Sequence, residues 1–157
     1  MQFAAKMGAN VTVLGHSSQK RHEALNLGAT SYEILKQTDD FNKMNNHFDF
    51  ILNTTAVTLN LDQYLKLLTV NGILCYVGLP SGRQQFSINE MFNKQETITV
   101  SNVGGITMTQ EMLNFAADNK VKPMIEMIGI NDVPIAYKRI LNSDVHYRFV
   151  IDMNTLN

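Results

Sequence analysis

Residues 1–20, MQFAAKMGANVTVLGHSSQK, decide how the whole chain is to be read. Met1 to Met7 spaces its apolar residues as one face of a helix, Gly8 can end that helix, and Asn10 to Leu14 then runs as a short buried strand. The chain therefore opens on a helix that leads into a strand. In a dinucleotide-binding fold that helix normally follows a strand and a glycine-rich turn.

Working outward, short apolar runs alternate with helical stretches, the pattern of βα units and of a largely parallel sheet covered on both faces. After NVTVL, Ser17 or Ser18 can N-cap a helix that Gly28 ends, and TSYEIL reads as a strand. TDDFNKMNNH is a poor helix former, with Asp39-Asp40 suited to its N-cap, and FDFILNTT is a buried strand. NLDQYLKLLTVNG predicts an amphipathic helix with Leu61, Tyr64, Leu65 and Leu68 on one face and Asn71-Gly72 as its stop. ILCYVGLP and TITVSNV are the next strands, separated by a short helix around Ile88 to Asn93. Thr107 and Gln110 have capping-box spacing for a helix that buries Met112, Leu113, Phe115 and Ala116. IEMIGI, a helix from about Asp132 to Leu141, and the strand HYRFVID close the chain. The fold class is α/β, a Rossmann-like doubly wound parallel sheet.

Bulk composition narrows the function. With 157 residues, 45% hydrophobic and 17% charged, the chain can bury one ordinary core. A formal charge of -1 provides no basic field for nucleic acid or anionic lipid. No apolar run approaches the roughly 18 residues of a membrane span, and the expectation is a cytoplasmic protein without nucleic-acid or membrane partners. The single cysteine, Cys75, lies inside an apolar strand, reads as core and excludes an intrachain disulfide. His16, His22, His47 and His146 are scattered, and no metal-ligand cluster or nucleophile-base pair stands out, so no catalytic or metal-binding residue is assigned.

One constellation survives. GHSSQKR occupies the end of the second βαβ strand, where a carboxylate would accept from an adenosine ribose hydroxyl and where small polar and basic residues admit a 2'-phosphate. Gly15 leaves room, Ser17 can donate, and Lys20 or Arg21 can pair with the phosphate. An N-capped helix with a solvated basic turn accounts for the same residues, and both readings stay open here.

The runs QFAAKMGANVTVL, KRHEALNLGA, FDFILNT, YLKLLTVNGILCYVGLP, TQEMLNFAADNKVKP and SDVHYRFVID, in that order, resemble the C-terminal, cofactor-domain part of the medium-chain zinc-type alcohol dehydrogenases. The subgroup that looks closest is the cinnamyl alcohol dehydrogenase-like, NADP-dependent one. The resemblance implies hydride transfer between a primary alcohol or aldehyde and NADP in the complete family member. By position it implies that His16, Ser17 and Lys20 surround the 2'-phosphate, that Thr54, Val77 and Gly78 border the cofactor, that Ser101, Asn102 and Val103 face the nicotinamide carboxamide, and that Arg148 approaches the pyrophosphate.

It also implies what this sequence does not contain: the first strand with its glycine-rich turn, and the zinc domain with its Cys and His ligands. Residues 1–122 would form a truncated NADP-binding domain, and 123–157 the segment that packs on the catalytic domain in the family. Zinc belongs to the complete family but has no ligands here, NADP affinity should be low, and the chain alone should be an inactive remnant. NVTVL and FDFILNTT should each expose an apolar edge unless they meet one another or recruit another chain. Ile125, Ile128, Phe149 and Ile151 should form an exposed patch. The alternatives are a non-catalytic nucleotide-binding or homodimerisation module, and one half of an enzyme completed by a separate N-terminal chain.

Overall fold

The computed structural model describes residues 1–142 and 144–156. The chain forms two compact units, residues 1–110 and 111–157.

In the first unit, α1 (Gln2–Lys6) leads to β1 (Thr12–Gly15), α2 (Arg21–Asn26), β2 (Ser31–Ile34), α3 (Thr38–Lys43), β3 (Phe48–Asn53), α4 (Leu61–Lys66), β4 (Leu68–Tyr76), α5 (Ile88–Phe92) and β5 (Thr97–Val100). All pairing within it is parallel, β1 with β2 and, in a second sheet, β3-β4-β5 in that order. This is the α/β architecture that the alternation of apolar runs predicts.

Two of the three expected glycine stops are present. Gly8 and Gly28 have φ of +89° and +96°, values that a side chain would strain. After each, the next N–H reaches back into the preceding helix, Ala9 to Ala4 O and Ala29 to Ala24 O at 3.0 Å, closing the helix ends. Neither Ser17 nor Ser18 caps α2: Lys20 holds that position without a side-chain cap, and the Arg21 N–H binds Ser18 O. At α3 the cap position falls to Gln37, and Asp40 reaches back to the N–H groups of Lys36 and Gln37 at 3.0 Å. Those two bonds, first of all the one from Gln37, hold its carboxyl below the usual range.

The core gathers Leu35, Phe41, Ile51, Leu61, Leu65, Leu67, Leu68, Leu74 and Tyr76, and Leu14 of β1 packs against it. A smaller cluster of Ala24, Ala29 and Tyr32 seats α2 on Val13 and Ile34. The long helix predicted over NLDQYLKLLTVNG stops at Lys66, and from Leu68 the chain is already strand. The reason lies 28 residues downstream. Lys94 Nζ donates to the carbonyls of Leu65, Lys66 and Leu68 at 3.4, 3.0 and 3.0 Å, taking the acceptors a continuing helix would have used. Asn71, with φ of +61°, sits in the irregular stretch where the β3–β4 register slips.

The same ammonium lies 3.4 Å from Glu96, a buried residue whose two carboxylate oxygens have no hydrogen-bond partner among the described residues. Burial raises the Glu96 pKa, more than Lys94 lowers it.

Two expectations about exposure separate here. Among the described residues β1 pairs only with β2 and β3 only with β4, so each keeps one unpaired edge, as expected. Coverage of the sheet on both faces is not observed in full. Ile51 is buried, while Phe50 and Leu52, on the opposite face of β3, remain 53% and 51% exposed.

Helix α6 (Ile106–Asp118) spans the division between the units. It begins ahead of Thr107, with the Gly105 carbonyl taking the Thr109 N–H, so Thr107 lies inside the helix and not at its cap. Met112 and Leu113 are exposed, and Phe115 and Ala116 are only half-buried. An amphipathic face is written in the sequence, but no core of the described residues closes over it.

In the second unit β6 (Glu126–Ile128) pairs in parallel with β7 (Phe149–Ile151), with α7 (Val133–Leu141) between them in sequence. Pro134 falls in the first turn of α7, where its missing N–H costs nothing. Of the expected apolar patch, Ile125 and Ile151 are exposed and Ile128 and Phe149 half-buried.

Because folded Glu96 holds its proton more tightly than unfolded Glu96, its ionised form weakens the fold, and stability linked to this group is gained as pH falls through the raised folded value. Glu96→Gln, which imitates the protonated form, is expected to raise the melting temperature most at neutral pH, with the advantage shrinking toward pH 5. Melting curves of both proteins across that range measure it; an advantage that grows on acidification would contradict it.

Candidate functional site

In open α/β sheets ligands lie beyond the carboxyl ends of the strands. Most of the residues singled out from sequence stand there in the first unit: His16 and Ser17 after β1, Thr54 after β3, Val77 and Gly78 after β4, and Ser101, Asn102 and Val103 after β5. Lys20 caps α2, and Arg148 belongs to the second unit, just before β7.

The loop after β1 is organised around a residue that sequence reasoning overlooked. The Tyr32 hydroxyl donates to Ser17 O at 2.8 Å, and the Arg21 guanidinium lies 5.5 Å from the Tyr32 ring centre. A Cβ at Gly15 would collide with that hydroxyl. Glycine at this position therefore makes room for tyrosine, whereas the sequence reading left the space for a phosphate. The signal was the pairing register, which sets Val13 opposite Tyr32, but it is readable only once the strands are paired. The His16 Nδ1–H donates to Leu35 O at 3.2 Å. Ser17 and Lys20 are exposed, and no carboxylate lies between Gly15 and Arg21.

The ends of β3 and β4 are tied together. Asn53 O accepts from the N–H groups of both Val77 and Gly78 at 3.0 Å. The Asn53 side-chain oxygen accepts from the Thr55 N–H at 2.9 Å and from the Thr55 hydroxyl at 2.8 Å. Gly78 is obligatory in this arrangement, since a Cβ there would run into the Thr55 carbonyl. Thr54 and Val77 are left exposed at the rim. After β5, Ser101 N–H binds Tyr76 O at 2.8 Å, and the Asn102 side chain accepts from the Val103 N–H at 2.8 Å, which turns the chain outward with all three residues exposed.

Ser17, Thr54, Val77, Ser101, Asn102 and Val103 are thus exposed at strand ends of the first unit, and the loop after β1 is basic and holds no carboxylate. Among the described residues no three His, Cys, Asp or Glu side chains gather as a metal site, and Cys75 is buried in β4. Nor is any helix among them long and apolar enough to cross a membrane.

The parallel pairing and βα order define an α/β domain of the Rossmann type. Residues 1–118 match the zinc-binding dehydrogenase family, and the chain belongs to that family. It is 47% identical over 156 residues to the "Probable formaldehyde dehydrogenase AdhA" of Bacillus subtilis (strain 168), a match covering 99% of this chain and 45% of that protein. The NADP-dependent alcohol dehydrogenase C of Mycobacterium bovis is 44% identical over the same shares of the two chains. Among solved structures, the cinnamyl alcohol dehydrogenase of Helicobacter pylori complexed with NADP(H) superposes with a TM-score of 0.80 and 31% identity, covering 98% of this chain and 44% of that one. The chain thus spans less than half the length of the curated relatives it matches.

If Gly15 serves Tyr32, Gly15→Ala should displace the hydroxyl from Ser17 O and cost more than about 1 kcal/mol in urea unfolding. Much of that cost should vanish in a Tyr32→Leu background. Equal costs in the two backgrounds would remove the assignment.

Proposed function

We propose that this chain is the NADP-binding portion of an alcohol or aldehyde dehydrogenase of the cinnamyl alcohol dehydrogenase type. The observation that carries the reading is the loop from Gly15 to Arg21, which presents Ser17 and Lys20 to solvent with no carboxylate among its residues. A ribose 2'-phosphate is accommodated there, whereas an unphosphorylated ribose would lack the acidic acceptor that usually selects it. The identity to an NADP-dependent relative over nearly the whole chain supports the same choice.

In this reading Ser17 donates to the 2'-phosphate and Lys20 neutralises it. His16, held by the Leu35 carbonyl, lines the loop as a wall. Thr54, Val77 and Gly78 border the cofactor at the tied ends of β3 and β4. Ser101, Asn102 and Val103 present backbone and side-chain polar groups to the nicotinamide carboxamide. Bound NADP would give or take a hydride. The described residues contain no donor set for zinc, so no step is assigned to a metal here.

The 157-residue chain is expected to bind NADPH more tightly than NADH, measured by the change in nicotinamide fluorescence on titration. Lys20→Ala should weaken NADPH by about tenfold, the size of one charge-assisted contact, and leave NADH nearly unchanged. Ser17→Asp should reverse the preference by placing a carboxylate where the phosphate would sit. Equal affinity of the unaltered chain for the two nucleotides would overturn the cofactor assignment. Without other chains present, oxidation of a primary alcohol with NADP is expected to be undetectable, and turnover at any zinc concentration would contradict that.

A further inference from the structure

Asparagine is followed by glycine once in the sequence, at Asn71-Gly72 in β4. The strand bulges there. Its register with β3 runs from the pair Phe48–Leu68 to the pair Phe50–Ile73, so Thr69 to Gly72 stand opposite Asp49 alone. Val70 is 63% exposed, and Asn71 is exposed with φ of +61°. The Asn71 side chain makes no hydrogen bond with the described residues.

Glycine is required as the next residue. A Cβ at Gly72 would lie 2.8 Å from the Leu68 Cβ and 2.9 Å from the Thr69 carbonyl oxygen, closer than packed atoms come. The bulge therefore excludes, after Asn71, the side chain that elsewhere hinders a backbone nitrogen from reaching the asparagine before it.

We propose that Asn71 is a site of spontaneous covalent modification: the Gly72 backbone nitrogen attacks the Asn71 side-chain carbonyl, and water completes a conversion to aspartate and isoaspartate. Hydroxide removes the Gly72 N–H proton, and the nitrogen forms a bond to Asn71 Cγ. The Cγ–Nδ2 bond then breaks, and ammonia leaves with a proton taken from water. One water molecule opens the resulting five-membered succinimide at either carbonyl. Cleavage of the bond to Cγ gives aspartate; cleavage of the bond to the Asn71 main-chain carbonyl gives isoaspartate, whose backbone is one carbon longer. One water enters, one ammonia departs, and nothing is oxidised or reduced.

The position gives the reaction a structural effect. The Asn71 N–H donates to Lys94 O at 2.7 Å, and two residues later Ile73 pairs with Thr97 of β5. An added backbone atom between these two points keeps the chain from holding both. Lys94 is the residue whose ammonium ends α4, so isoaspartate at position 71 loosens the junction of α4 with β4. Aspartate keeps the backbone length and spares it.

Order opposes the attack. The Asn71 N–H bond and the bond from the Thr69 hydroxyl to Asp49 Oδ1 at 3.0 Å hold the bulge in place. An exposed bulge with few buried contacts opens at low cost, and opening lets the Gly72 nitrogen turn onto Cγ.

The test ages the whole chain in mildly alkaline buffer, folded and in urea, and digests it after lysine and arginine. Peptide 67–83 carries Asn71 and no other side-chain amide, so its mass reports on this residue alone. It should convert from amide to acid before the peptides that carry the other asparagines, at a rate proportional to hydroxide concentration. The folded rate should be no more than about tenfold below the rate in urea, the slowing of a shallow local opening. Isoaspartate is counted by methyl-ester formation with an isoaspartyl methyltransferase. The aged chain should melt below the fresh one, whereas Asn71→Gly, which accepts the positive φ, should melt unchanged after ageing. Asn71→Asp carries the charge without the added atom and should lose less than the aged chain.

A greater slowing in the folded chain, or earlier conversion at another asparagine, would overturn the proposal, and this measurement needs no variant to fold. Conversion at Asn71 without isoaspartate, or without a lower melting temperature, would overturn the effect on the junction of α4 with β4.

Discussion

The first unit depends on the ammonium of Lys94. By taking three carbonyls between Leu65 and Leu68 it ends α4 after Lys66 and sends the chain straight into β4. Leu61, Leu65, Leu67 and Leu68, each at most 1% exposed, are thereby packed across a helix-to-strand turn of a single residue. The ammonium is itself placed by β5, whose first residues pair with β4, and by the Asn71 N–H on the Lys94 carbonyl. One cation thus joins a helix end, a strand start and a neighbouring strand. The carboxylate beside it offsets part of that gain, since a buried charge whose oxygens lack hydrogen bonds is costly even next to a cation.

Order along the chain and strand identity were legible because they rest on local signals: β-branched residues in β1 and β5, aromatic and aliphatic ones in β3, and glycines at the ends of α1 and α2. What escaped the sequence was in each case a contact between distant residues. Nothing within NLDQYLKLLTVNG announces that Lys94 will cap its carbonyls. Nothing in GHSSQKR announces that the Tyr32 hydroxyl will fill the space beside Gly15. The candidate site was half legible for the same reason: the strand ends follow from the βα alternation, but which groups each end frees or consumes depends on partners such as Asn53 O and Leu35 O.

Exposure was the hardest property to read, because an apolar face states only that something should cover it. Phe50 and Leu52 on β3, and Met112 and Leu113 on α6, have the periodicity of core positions and are exposed within this chain. Among the described residues β1 and β3 also keep one unpaired edge each. Parallel sheets are ordinarily buried on both faces, and the relatives that share this fold are more than twice as long. The exposed faces are not covered by the described residues, and stability measured on this chain alone reports mainly on the Leu-rich core around α4.

The loop after β1 and the stretch before β7 dispose their charges differently. No carboxylate stands in the chain between Gly15 and Arg21, and the Arg21 guanidinium lies over the ring of Tyr32. Before β7 carboxylates are present, and Arg139 on α7 pairs with both Glu126 and Asp144. The first arrangement is a matter of composition and can be read from a sequence. The second is geometry and cannot, because SDVHYR shows an acidic residue four positions before Arg148 and gives no sign that an arginine on α7 has already claimed it.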